Sequence, residues 1–272
     1  MVIPFLLVVS ISLTAESSIV NGGYRLIPQV FSLEAYRYIL EAPLILLRAY
    51  GVTIFVTVVG TVLGLLFVSM TAYSISRRDY RYNRITTFYI FFTMLFSGGL
   101  VPGYILITQY LHMKDTIWVL IIPGLLSPFY VMVMRGFLMK TPVEIYESAK
   151  IDGANEYRIF FTMVIPLAKP ALATLGLMIS FGYWNEWFGG LLYIDNEKLV
   201  PLQLLLVRMM STIDYLTTNP YFASQVDIPM DLFPKLSARM AMAVLVAGPM
   251  TIVFPFFQRY FVKGLTVGSL KG

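Results

Sequence analysis

The chain contains no cysteine and a single histidine, His112. Without thiols there is no disulfide framework, no thiolate metal site and no cysteine nucleophile, and one imidazole argues against a histidine-based metal centre. Charge is also scarce. Charged residues make up 13% of the 272 positions and hydrophobic ones 58%, whereas soluble domains carry about 25% charged residues. That balance belongs to an integral membrane protein, not to a large soluble core. The net charge is +5, yet no run of Lys and Arg forms a nucleic-acid patch, so nucleic acid is not an expected partner. No Gly-x4-Gly-Lys-Ser/Thr phosphate loop and no His-Glu-x-x-His pair is present.

What is present is a series of apolar runs near the ~20 residues a spanning helix needs. Five are long enough: 44–75, 85–107, 116–137, 171–194 and 241–262. A sixth, Met1–Leu13, is short and is read as a first helix clipped at its N-terminus, because no basic segment precedes it and no small-x-small cleavage site follows. The second span holds Gly60 and Gly64 at a spacing that lets helices approach closely. The third is interrupted by "SGGLVPG" (97–103), which predicts a kink or break. The segment 14–43, with its Gly and Pro, reads as an external loop. The expected fold is therefore an all-α polytopic membrane protein of six transmembrane helices forming a single transmembrane domain over 1–272.

Orientation follows from the basic residues. Twelve of the twenty Lys and Arg fall in 76–84, 135–170 and the tail from Arg259; eight fall on the opposite side. The richer side is cytoplasmic by the positive-inside rule. Both termini are therefore expected in the cytoplasm of a multi-pass protein of the cell membrane.

Between the fourth and fifth spans lies the most polar stretch of the middle of the chain, "EIYESAKIDGANEYRIFFTMVIPLAKP" (144–170). Thr141, Pro142 and Glu144 read as a capping box opening a helix. Asp152-Gly153 should break it, since glycine tolerates the left-handed geometry of a helix end. Asn155 can cap a second helix, whose apolar face would be Tyr157, Phe160, Phe161, Val164 and Ile165. The result is a helical hairpin over 138–170 on the cytoplasmic side. Spacing alone also suits an ordinary amphipathic connector.

The hairpin resembles the cytoplasmic loop of ATP-binding-cassette importer permeases: Glu147-Ser148-Ala149, then Gly153, then Met163-Val164-Ile165-Pro166, with that family's spacing throughout. Ser148, Met163 and Ile165 depart from its usual Ala, Ile and Leu. "AKIDGAN" is typical of the carbohydrate branch. The ending "QRYFVKGLTVGSLKG" resembles the maltose-type second permease, and "SGGLVP" and "YWNEWF" its multiple-sugar and oligosaccharide relatives. The resemblance implies a type I importer permease fold and covers nearly the whole chain.

It further implies that the hairpin is the coupling helix that docks on an ATPase subunit, through Glu147, Ser148, Ala149, Asp152, Gly153, Ala154, Tyr157 and Phe160. The tail over 259–272 would reach the ATPase subunits through Gly264, Gly268, Ser269 and Lys271; a disordered basic tail is the plainer reading. ATP and its magnesium would be held by those partner subunits, and this chain would carry no cofactor of its own. The other implied partners are a second, homologous permease subunit, membrane lipid and an extracytoplasmic solute-binding protein, met by the external loop 195–240. That loop includes "VPLQLLLVRMM", which has helical spacing.

Within the fifth span, Tyr183, Trp184, Asn185, Glu186 and Trp187 combine aromatic faces with amide and carboxylate groups, which suits a sugar path. An interfacial aromatic belt with Glu186 capping a neighbouring helix would give the same residues. The expected function is translocation of a carbohydrate, an oligosaccharide with acidic ones included. The rivals are an ion-gradient-driven secondary transporter, which would carry midplane coupling carboxylates and internal repeats, and an intramembrane enzyme.

Overall fold

The computed structural model describes residues 2–219 and 234–269. Among them there is no strand, only an isolated antiparallel bridge between Thr14 and Phe31. The described residues fall into two compact units. One takes in those of Met1–Thr53 and Glu186–Ile252, the other those of Ile54–Asn185 and Val253–Gly272.

The first unit opens with the apolar helix α1 (Val2–Ser12). The segment expected as loop then holds two short helices, α2 (Glu16–Gly22) and α3 (Glu34–Ile39). It also contains the start of α4 (Pro43–Ser76), then α12 (Phe188–Tyr193), α13 (Leu202–Thr218) and the first part of α14 (Lys235–Ser269). Buried Glu16 is its most consequential polar residue, although nothing in the local sequence marks it. Its carboxylate accepts from Leu236 N at 2.9 and 3.1 Å, from Ser237 N at 3.0 Å and from the Ser237 hydroxyl at 2.8 Å. The first N–H groups of a helix lack intrahelical partners and sit at its positive end. A carboxylate from 220 residues away in the chain satisfies them here. Thr53 similarly accepts from Leu202 N at 2.8 Å, opening α13, and the Tyr50 hydroxyl donates to Leu245 O at 2.6 Å.

The second unit contains the rest of α4, then α5 (Asn83–Leu95), α6 (Leu100–Ile105) with a wide turn over Leu106–Tyr110, tight turns over 117–124, and α7 (Pro128–Leu138). The hairpin comes next: α8 (Val143–Ile151), α9 (Glu156–Ile159), a wide turn over Phe160–Val164 and α10 (Ile165–Leu167). Last comes α11 (Lys169–Trp184). Among the described residues two helical stretches, Pro43–Ser76 and Lys235–Val253, are long and apolar enough to cross a membrane, and the number rises to as many as five when each bent pair counts as one span. The pair bent by 112° breaks at residues 96–99, where Gly99 has φ +90°, inside the stretch expected to kink. The pair bent by 81° breaks at Ala168, between Pro166 and Pro170, which lack the N–H a straight helix would use.

Gly60 is a place of close approach, and Gly64 is not. A Cβ on Gly60 would lie 2.6 Å from the Tyr183 ring, and one on Gly64 would lie 3.5 Å from Leu125 O. The Tyr183 hydroxyl donates to Ile121 O at 2.8 Å. One aromatic side chain of α11 thus fills the groove that a missing side chain leaves on α4.

Two expectations need correction. The fifth span is not continuous: α11 stops at Trp184, and α12 starts at Phe188. The last helix does not stop at the end of the expected span 241–262 but continues through Gly264 and Gly268 to Ser269; no proline after Pro255 removes a backbone donor. Within 195–240, the stretch with helical spacing does form a helix, α13, while 220–233 lies outside the described residues, as does Lys271.

The Glu16 cap leads to a stability prediction. Glu16→Ala leaves several buried N–H groups of α14 unpaired, at a cost of about 1–3 kcal/mol. The purified protein should melt at a lower temperature, with Glu16→Gln intermediate because its amide oxygen still accepts. An unchanged melting temperature in Glu16→Ala would remove the cap from the account.

Candidate functional site: the helical hairpin

The hairpin forms close to the way its residues suggest, with two adjustments. Helix α8 starts at Val143 with extended Pro142 in the capping position, and no side chain caps it, so the Thr141–Glu144 box is not formed; Thr141 sits one residue too early. The turn after α8 matches expectation. Gly153 has φ +77°, Gly153 N donates to Lys150 O and Ala154 N to Ala149 O, both at 3.0 Å. These two bonds close a helix end around a left-handed residue. Asn155 caps α9, its side-chain oxygen accepting from Arg158 N at 2.8 Å.

The second adjustment concerns the apolar face. The wide turn at Phe160–Val164 adds a residue to the local repeat and rotates the residues after it. Ile159, Phe160, Val164 and Ala168 face inward, together with Tyr146 and Ala149 of α8. Tyr157 and Phe161, expected on the buried face, are instead 71% and 53% exposed. Of the expected docking residues, Glu147, Ser148, Asp152, Gly153 and Tyr157 are exposed, Ala154 is half-buried, and Ala149 and Phe160 are buried. Ile151, not among the expected docking residues, is 86% exposed. The outer surface is thus carboxylate, small polar and apolar side chains around a glycine turn.

The inner surface carries a polar cluster that the sequence does not announce. Lys150 Nζ lies 2.7 Å from Asp79 Oδ2 and 2.8 Å from Glu156 Oε1. Arg77 donates to both oxygens of Asp79, at 3.0 and 2.9 Å. The Tyr73 hydroxyl donates to Glu156 Oε2 at 2.5 Å. The Arg77 guanidinium lies 4.7 Å from the Tyr146 ring centre and 5.8 Å from that of Tyr73. Around it, the Asn83 amide donates to the carbonyls of Ile75 and Arg77 at 2.7 Å each, and Arg135 Nε to that of Ile75 at 3.1 Å. These bonds satisfy the orphan carbonyls at the end of α4. The only signal in the sequence is a lysine near the end of one hairpin helix and a glutamate at the start of the next. The lysine's other partner, Asp79, is 71 residues away from it.

Electrostatics agree with the geometry. Arg77, then Lys150, hold the Asp79 carboxyl well below the usual carboxylate range. Asp79 first and Glu156 second raise the Lys150 ammonium. Asp79, Lys150 and Glu156 keep 54, 40 and 52% of their side chains in solvent, so each pair contributes about 0–1 kcal/mol to stability. Their effect is orientation more than strength.

The aromatic-polar residues of the fifth span are divided by the helix break. Tyr183 and Trp184 are buried at the end of α11, and Asn185 is exposed with its amide donating to Phe181 O at 2.8 Å. Glu186 accepts from Gly189 N at 2.6 Å and so caps α12, while Trp187, 39% exposed, packs edge-on to Phe188. At the far end of the chain, the backbone of Gly264, Gly268 and Ser269 lies within α14.

Residues 60–267 match the family described as binding-protein-dependent transport system inner membrane component. The chain belongs to this family. It is a permease of an ATP-binding-cassette importer and not an ion-driven carrier. The permease is 36% identical over 271 residues to the Bacillus subtilis protein LplC, spanning all of this chain and 90% of that one. It is also 36% identical over 271 residues to YtcP, a polygalacturonan/rhamnogalacturonan transport system permease protein of the same organism, spanning all of this chain and 93% of YtcP. Among solved structures it is similar to a bacterial ABC transporter involved in the import of the acidic polysaccharide alginate. The TM-score is 0.82 at 29% identity, covering 96% of this chain and 90% of that one.

The cluster makes the permease's response to pH specific. A lowered carboxyl stabilises the hairpin fully above its unfolded pKa of about 4, and that contribution fades as pH falls below it; a raised ammonium acts the other way, fading only above about pH 10. A nitroxide on Ser148→Cys should therefore show constant mobility from about pH 5 to 9 and loosen near pH 3. In an Asp79→Asn background it should already be looser at neutral pH. A mobility step between about pH 6 and 8 would contradict this assignment.

Proposed function

We propose that this permease carries a carbohydrate, an oligosaccharide of the acidic class, handed over outside by a solute-binding protein. It works as a heterodimer with a second, homologous permease on a dimer of ATP-binding subunits, which hold the ATP and magnesium. The side richer in Lys and Arg faces the cytoplasm, with both termini on it. The hairpin over 138–170 is the docking element for the ATPase, 195–240 meets the binding protein, and the segment from Arg259 reaches the ATPase dimer. Tyr183, Trp184, Asn185, Glu186 and Trp187 mark the cargo path, with exposed Asn185 and Trp187 offering the polar and aromatic surface.

One observation carries the docking reading: the exposed face of the hairpin. Ile151, Tyr157 and Phe161 are large apolar side chains left open beside Glu147. A connector has no need of such a surface, while a protein partner with an apolar cleft and a basic group would cover it. The cargo class draws support from the relatives. YtcP is named for polygalacturonan and rhamnogalacturonan, and the solved neighbour for alginate, an acidic polysaccharide.

Glu147→Ala and Gly153→Val test the docking. The first leaves a partner's basic group unpaired, at a cost of roughly 2–5 kcal/mol in association; the second forces a β-branched residue into a left-handed turn. Both permeases should insert and fold, yet lose co-purifying ATPase or its stimulation by transport. Normal values of both in both variants would return the hairpin to a connector. For the cargo, reconstituted transporter should take up labelled oligogalacturonate or alginate oligomers in preference to neutral arabino-oligosaccharides. The reverse preference would remove the acidic class.

A further inference from the structure

By chain connection the hairpin belongs to α7 before it and α11 after it. Its ion pairs go elsewhere. Lys150 closes on Glu156 across the hairpin and reaches Asp79 in the turn after α4. Tyr73, three residues before the end of α4 at Ser76, donates to Glu156. The Tyr73 ring also packs against one ring from each arm of the hairpin, Tyr146 at 6.0 Å and Phe160 at 5.7 Å between centres. Arg77 binds Asp79 through two N–H groups and lies over Tyr146.

We infer that Tyr73, Arg77, Asp79, Lys150 and Glu156 join the hairpin to the cytoplasmic end of α4 as one lever. A displacement imposed on the hairpin then reaches the membrane first through α4, not through the helices that adjoin it in the chain. Lys150 is the positioning residue. Asp79 and Glu156 come from different segments and would repel each other, and one ammonium within 2.8 Å of both holds them together. What α4 receives it passes on, because the Tyr183 ring of α11 fills the space beside Gly60 that a side chain there would need. Close-packed contacts of this kind shift as units and do not absorb a displacement.

The inference rests on the proposed docking to the ATPase but can fail separately, because exposed Glu147 makes no contact in the cluster while Lys150 is its centre. The test uses the complete transporter in proteoliposomes with Lys150→Met, Lys150→Arg, Asp79→Asn and Glu147→Ala. Uptake of whichever labelled oligogalacturonate, alginate oligomer or arabino-oligosaccharide the parent transports is measured beside ATP hydrolysis. A cargo-independent readout is the ATP-dependent change in maleimide reactivity of Val58→Cys, a position exposed on α4. Lys150→Met and Asp79→Asn should retain the ATPase subunits and hydrolysis. Their transport per ATP should fall about two- to thirtyfold, and the response at position 58 should be lost. Lys150→Arg, which can still span both carboxylates, should restore both. If Lys150→Met does not accumulate, Asp79→Asn alone decides, since it alters only the turn. Parental coupling and an intact response at position 58 in these variants, with Glu147→Ala losing the ATPase, would overturn the lever and leave the docking. Parental assembly and hydrolysis in Glu147→Ala would instead overturn the docking.

Discussion

A single ammonium held between two carboxylates organises the helical hairpin of this permease. Lys150 bridges Asp79 and Glu156, and the Tyr73 hydroxyl and the Arg77 guanidinium close the cluster around them. None of these pairs is buried enough to contribute much to stability. They choose, among the ways a short helical hairpin could lie on the end of a membrane helix, the one that turns Tyr146, Phe160 and Val164 inward. Glu147, Ile151 and Tyr157 are left outward as a consequence. The exposed face of the hairpin is therefore set from behind, by contacts that are not part of that face.

The membrane region obeys a different constraint. A backbone in lipid must satisfy its own hydrogen bonds, so irregular stretches survive only where protein surrounds them or a cavity is lined. Among the described residues three apolar stretches are nevertheless bent by more than 40°. The breaks that shape the third and fifth spans have a visible chemical cause or closure: a glycine with positive φ within 96–99, prolines around Ala168, and a side-chain carboxylate at the start of α12. Close approach accompanies the breaks. The Tyr183 ring occupies the space that a side chain at Gly60 would need, and its hydroxyl satisfies the Ile121 carbonyl.

Much of this was legible in the sequence, and the remainder was hidden for physical reasons. The apolar runs, the glycine break after Phe96, the turn at Gly153 and the Asn155 cap are local features, determined by residues within a few positions of one another. The exposure of Phe161 was not legible, because a wide turn beginning at Phe160 changes the repeat without a distinctive residue to announce it. The end of α11 at Trp184 was hidden inside an unbroken apolar run; only Asn185 and Glu186 hint at it, through side-chain bonds to Phe181 and Gly189. Contacts across long separations left no trace at all. Glu16 capping α14 and Asp79 binding Lys150 look, in one dimension, like ordinary acids in polar loops.

The lever can be watched directly, since a chain without cysteine accepts labels only where they are placed. Spin labels on Ser74→Cys, at the end of α4, and Arg158→Cys, on α9, occupy exposed positions on the two sides of the cluster. Their distance should be measured by pulsed electron resonance in the complete transporter, without nucleotide and with ATP trapped. If hairpin and α4 move as one body, the distance distribution is the same in both states while transport-linked motion proceeds elsewhere. A distribution that shifts between the two states would show the hairpin swinging free of α4, and the ion cluster would then be a resting contact with no part in coupling.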